Sequence, residues 1–456
     1  MKKHSIWLLM PFIILPFFFV VNESTLIQYE IFTTEINIYL SSIIAMTLFP
    51  ISYGLACRNL DLFEPSILFM LGVVLGFVLP AYMFITNYEI KGFYLVDYQI
   101  NQYNLTNGLK FSFFSFLFFL LGYYLFRGEI KKPKKLSLNL NENLFRIMFY
   151  IFILLYLIGT ITSQIVLGEQ VTRGLSYEFG YGIFQPFTGL SNFLIIVWLV
   201  FFLFSNNLKG SLFLHLVMFI ILITSFDISS RGGILATSLA ILASLNYMKF
   251  RIKFSHGIFL LIIALIPIVG IGLGRYDVAD TATDIFFNFF RVAYLATFSG
   301  LEVMMIISDQ VPQNIDFYKG SLVLGAFIYP FFPRIIFSGK PEVYGYNLFW
   351  EDYLSSSTIG KSEYFVSLAG HFYLDFGIFG IIVGCFLLGI AYSKIYKFFR
   401  LNINNKGIVV VYILACVTVF FQTPFAIPTS MIVLQVFALP TIFLALVYKN
   451  NTSQRT

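Results

Sequence analysis

Charge is what this chain has least of. Only 11% of its 456 residues are Asp, Glu, Lys or Arg, while 58% are hydrophobic and the mean hydropathy is +0.83. Soluble domains carry roughly a quarter charged residues, so that class is excluded. Cysteine is scarce too. Cys57, Cys385 and Cys416 fall in or at the ends of apolar runs with no paired spacing, which excludes a disulfide framework or a cysteine metal cluster. The chain has no HExxH, no paired CxxC, no Walker loop and no Gly-x-Ser-x-Gly elbow. Those absences disfavour metal-driven and nucleotide-driven chemistry. No cofactor is expected, and energy for a reaction would have to arrive with an activated substrate. Internal repeats are also absent, which counts against transporter folds built from duplicated halves.

What the chain does have is long apolar runs. About twelve are long enough to cross a bilayer, near 5–21, 38–57, 66–86, 109–126, 145–167, 189–205, 211–228, 232–248, 256–273, 372–396, 407–423 and 429–448. Such lengths exclude barrel strands and predict an all-α polytopic membrane protein. Lys2-Lys3 followed by Ile6–Val21 mimics a secretory signal, but no small-residue cleavage site follows, so the segment is read as an uncleaved first span.

The loops alternate in charge. With the N-terminus cytoplasmic, one side collects 19 of the 29 Lys and Arg but 4 of the 23 acids. That bias obeys the positive-inside rule and puts both termini in the cytoplasm. Basic residues lying beside spans are explained by topology and anionic lipid, so nucleic acid is not an expected partner. Three parts follow: an N-terminal bundle of nine spans over 1–273, a large extracytoplasmic loop over 274–371, and a C-terminal bundle of three spans over 372–456. Within the loop, Ile285–Ser308 carries Asn288, Arg291 and Glu302 and is expected near the membrane interface. Gly320–Phe337, interrupted by Pro330 and Pro333, is expected to be re-entrant or to line a cavity.

Five cations gather on the outer side near membrane depth: Arg231, Arg275, Arg291, Arg334 and Lys340. Arg231 opens a span in Ser229-Ser230-Arg231-Gly232-Gly233, where free N–H groups, a positive dipole end and a guanidinium together suit a phosphate. A plain surface turn with an Asp227–Arg231 pair explains it equally well. Arg275 can be a snorkelling end residue. Arg291, among phenylalanines, needs a partner or a wet cavity, and Glu302 is the simple partner. Pro330…Pro333-Arg334…Lys340-Pro341 reads as a diphosphate clamp or as an interfacial hinge. Tyr344, Tyr346, Trp350 and Tyr353, interleaved with acids and amides, would suit a sugar or an aromatic interface belt. His371, at a span mouth, can be a general base or structural, and Glu363 and Glu302 are the carboxylate alternatives.

The Ser229-Ser230-Arg231-Gly232 span start, the Pro333-Arg334…Lys340-Pro341 stretch and the Glu363-Tyr364…Asp375-Phe376-Gly377-Ile378-Phe379-Gly380 run resemble the O-antigen or oligosaccharide repeat-unit polymerases (the Wzy type). The resemblance covers mainly residues 225–390. It implies a GT-C-like glycosyltransferase of the bacterial inner membrane that uses no metal. Its substrate would be an undecaprenyl-diphosphate-linked oligosaccharide, and a chain-length regulator could be its protein partner. Arg231, Arg334, Arg291, Arg275 and Lys340 would hold the diphosphate. His371, Glu363 or Glu302 would take the acceptor proton, with inversion at the anomeric carbon. An O-antigen ligase of similar architecture and a lipid-linked oligosaccharide flippase remain the alternatives.

Overall fold

The computed structural model describes residues 5–57, 60–86, 100–128, 138–167, 190–204, 208–225, 231–253, 256, 300–328, 346–354, 366–421, 423–424 and 439–450. The chain is helical as expected. The helices are α1 (Ser5–Leu26), α2 (Thr34–Ala56), α3 (Pro65–Thr86), α4 (Gln102–Arg127), α5 (Glu142–Leu167), α6 (Ser191–Leu203), α7 (Leu212–Ser225) and α8 (Arg231–Met248). After them come α9 (Gly300–Gln310), α10 (Ser321–Ile328), α11 (Tyr346–Leu354), α12 (Leu368–Leu401), α13 (Lys406–Phe420) and α14 (Leu439–Val447). One short antiparallel ladder joins β1 (Leu138–Leu140) to β2 (Tyr448–Asn450), tying the end of the basic linker to the C-terminal segment.

Five helices among the described residues are long and apolar enough to cross a membrane: α2, α3, α4, α12 and the first twenty residues of α5. Shorter apolar helices match the expected spans in α1, α6, α7, α8 and α13. The expected span 256–273 lies outside the described residues, and of 429–448 only the part from Leu439 is described. Polar side chains close several helix starts, as a low-dielectric surround requires. Thr33 accepts from Ile36 N, Asn101 from Asn104 N, Ser367 from Gly370 N, and Asn405 from Gly407 N and Ile408 N. Large apolar side chains stay exposed on α1 (Phe12, Phe17), α5 (Ile147, Leu154) and α7 (Phe213, Ile220), faces that suit acyl chains.

At one end of the bundle sits a buried knot of charge. The turn from α2 to α3 carries Asp61 and Glu64, both almost fully buried. Asp61 accepts from Tyr247 of α8 at 3.0 Å, and from Tyr396 at 3.1 Å and Arg400 at 3.3 Å of α12. Glu64 accepts from Tyr123 at 3.0 Å and Arg127 at 2.9 Å, both of α4. The Arg127 guanidinium also lies 4.8 Å from the centre of the Tyr53 ring. Two adjacent carboxylates thus hold the ends of α4, α8 and α12.

Helices α4 and α12 run in the same direction. Ser115 meets Cys385 earlier in both, and Gly128 faces Lys397 later in both. Between these points the backbones touch. A Cβ on Gly122 would lie 2.1 Å from Phe386 O, and one on Gly389 would lie 2.2 Å from Phe119 O. Where lipid supplies no hydrophobic drive, such close approach is how helices gain packing energy.

Removing Asp61 would leave Arg400 buried without its carboxylate. Asp61→Ala is therefore expected to cost about 3–5 kcal/mol, read as a large fall in melting temperature in detergent. Asp61→Asn, which keeps an acceptor oxygen, should fall less. Equal, small shifts in both variants would contradict the role of the knot.

Candidate functional site

The knot fixes which ends of the helices lie together at the opposite side. Arg231 precedes Tyr247 by sixteen residues, so it lies about 24 Å along α8 from Asp61. In α12, Gly377 precedes Tyr396 by nineteen residues, about 28 Å. Because Tyr247 and Tyr396 share one carboxylate, the starts of α8 and α12 belong to the same far side. Arg231 is the first residue of α8.

Helix α12 does not begin as a simple span. Gly377 has φ 61° and ψ −149°, a conformation open to glycine alone, and it breaks the helix. A Cβ on Gly380 would lie 2.0 Å from Phe372 O, and one on Gly384 2.3 Å from the Phe372 ring. Residues twelve apart in a straight helix are about 18 Å apart, so 368–376 folds back along the start of 378–401. The reversal is tied down by Asp375, whose carboxylate accepts from Leu322 N at 3.1 Å and Val323 N at 2.8 Å. It thereby caps α10. Tyr318 N and Lys319 N donate to the carbonyls of Leu374 and Asp375. The Asp375…Gly377…Gly380 pattern therefore has a structural explanation of its own: cap, reversal and close approach.

The fold-back carries His371 inward. It is fully buried rather than at an open span mouth. Beside it runs α9. A Cβ on Gly370 would meet Ile307 Cδ1 at 3.2 Å and Met304 Sδ at 3.5 Å, so the helices bearing His371 and Glu302 are in direct contact. The Tyr373 hydroxyl donates to Val311 O at 3.1 Å, just beyond the end of α9.

The depth of α9 follows from its neighbours. Gly300 lies against Phe77 and Gly76 O, twelve residues above Glu64, while Met305 lies against Gly108, nineteen residues above Arg127. Helix α9 thus climbs from mid-bundle towards the far side. Its eleven described residues span about 16 Å, from mid-bundle towards that side. Ile285–Ser308 was expected at the interface, but its described part, from Gly300 to Ser308, is buried throughout. Protein, not headgroups, covers it.

Glu302 is the consequence. It is 2% exposed, and among the described residues neither of its carboxylate oxygens has a hydrogen-bond partner. A buried carboxyl whose oxygens are not committed to other hydrogen bonds is suited to accept or give a proton.

The other expected residues divide clearly. Trp350 and Tyr353 lie on α11, whose Asp352 accepts from the Tyr318 hydroxyl. Trp350 is buried at 5% exposure and packs edge-on to Phe349, so it does not line an open sugar shelf; Tyr353 is half-buried and stacks on Phe349. Tyr346 is the first residue of α11. Arg275, Arg291, Arg334, Lys340, Tyr344 and Glu363 lie outside the described residues, as does the re-entrant expectation for the stretch beyond Ile328. Among the described residues no three His, Cys, Asp or Glu side chains come together to hold a metal ion. Comparison with protein-family models, curated proteins and solved structures finds no match to this chain.

Proposed function

We propose that the chain is a polysaccharide repeat-unit polymerase at the outer face of a bacterial cytoplasmic membrane, with both termini in the cytoplasm. It transfers a growing glycan from undecaprenyl diphosphate to the non-reducing-end hydroxyl of an incoming lipid-linked repeat unit. The observation that supports this reading best is Glu302, a buried carboxyl without a described partner. It lies on α9, which touches the folded-back start of α12.

In the proposed reaction the bond from the anomeric carbon to the diphosphate oxygen breaks as the acceptor oxygen bonds to the opposite face. The anomeric centre inverts. The acceptor proton passes to Glu302, with His371 and Glu363 as the alternative bases. The electron pair leaves with the diphosphate, whose growing charge is met by Arg231 and Arg334, then Arg291, Arg275 and Lys340. Cations already in place stabilise that charge without reorganisation in a site shielded from water. Tyr344, Tyr346 and the outer edge of Tyr353 are proposed to contact sugar.

A strain deleted for the gene and complemented with single variants tests this. Arg231→Glu or Arg334→Glu should collapse the surface polysaccharide ladder to one repeat unit, which the wild-type gene restores. Glu302→Gln should slow polymer formation by about 10²–10⁴-fold. Complete polymer held on its lipid carrier would point instead to a ligase, and loss of single units outside to a flippase. A normal ladder from folded variants would remove these residues from the reaction.

A further inference from the structure

The knot end of the bundle has a cavity that the proposed polymerase reaction does not use. About 250 Å³ in volume, it is lined by Asn246, Tyr247, Met248, Lys249, Phe250, Arg251 and, from the turn after α12, Ile403. Its shape comes from how α8 ends. Lys249 N and Phe250 N both donate to Leu245 O, closing the last turn, and the Asn246 side chain accepts from Ile252 N at 2.9 Å. That clamp leaves Lys249 and Arg251 exposed with Phe250 between them, while Ile252 is buried.

The charge of this cavity is unopposed among the described residues. Neither Lys249 nor Arg251 has a carboxylate partner among the described residues. Asp61 lies behind the Tyr247 hydroxyl and is already occupied by Tyr396 and Arg400. No lining residue is acidic. Lys249 Nζ also lies 6.0 Å from the centre of the Phe204 ring, next to Leu203, which is 46% exposed. Phe250 is 60% exposed. Cations with an exposed aromatic between them, at the end of an apolar helix, match the boundary between headgroups and acyl chains.

We infer that this cavity binds the phosphate of an anionic phospholipid, with Lys249 and Arg251 on the phosphate and Phe250 against the first part of the acyl chains. A soluble phosphate would satisfy the two cations but would leave Phe250 uncovered; a lipid satisfies both. The inference is independent of the polymerase reading, since it concerns the opposite end of the bundle.

The test is native mass spectrometry of the full chain released from nanodiscs of phosphatidylcholine mixed with phosphatidylglycerol. The wild-type chain should retain phosphatidylglycerol selectively. Lys249→Ala/Arg251→Ala should retain roughly tenfold less or lower still, and Phe250→Ala should lose part of it. Because all three side chains are exposed, melting in pure phosphatidylcholine should be unchanged, and Lys249→Gln/Arg251→Gln serves as a second pair. Retention without preference for the anionic lipid, or unaffected by either double variant, would overturn the inference. So would inorganic phosphate displacing the lipid while Phe250→Ala has no effect, since the ligand would then be a soluble phosphate.

Discussion

Asp61 is the fixed point of this molecule. A carboxylate in the bundle interior is costly to bury unless its lone pairs are filled, and here two tyrosines and an arginine from two distant helices fill them. Its neighbour Glu64 does the same for α4. The turn between α2 and α3 therefore sets the alignment of three long helices. Because helices are rigid over this length, the alignment carries to the other side, where Arg231, the Gly377 reversal and the top of α9 lie. Charge is paired at this end, while on the far side the Glu302 carboxylate oxygens have no hydrogen-bond partner among the described residues.

That far side is built from devices that depart from simple spans. Helix α12 reverses at Gly377, and α10 is capped by a carboxylate from another helix. Short helices and reversals are tolerated at this depth only where protein satisfies the backbone, and Asp375 and the carbonyls of Leu374 and Asp375 do so. Sites of this kind place side chains away from both lipid and bulk water. Glu302 is the clearest result, and the proposed proton transfer depends on it.

Much of the helical order was legible in the sequence, because hydrocarbon allows a spanning segment few alternatives to an uninterrupted helix. Helices α1 to α8 and α13 fall where hydropathy places them. The knot was not legible. Asp61 and Arg400 are 339 residues apart, and both read as ordinary loop charges beside spans. The reversal in α12 escaped for another reason: hydropathy stays high across Gly377, so a window average reports one span through a sharp turn. Glu302 was read as a simple partner for Arg291 and as the last of three candidate bases, but its depth depends on contacts of α9 with Gly76 and Gly108, which spacing does not encode. Trp350 read as a sugar contact or as part of an interface belt, and its burial against Phe349 depends on packing that spacing does not encode.

The central claim is that this buried, glycine-shaped site moves sugar from a lipid diphosphate by its own side chains. Its most direct test is reconstitution of the purified chain in liposomes with a lipid-diphosphate-linked repeat unit, in the presence of a metal chelator. The account predicts products of two or more repeats together with released lipid diphosphate, both formed about 10²–10⁴-fold more slowly by Glu302→Gln. Substrate that crosses the bilayer unjoined, or joining that proceeds unchanged without the Glu302 carboxyl, would contradict it.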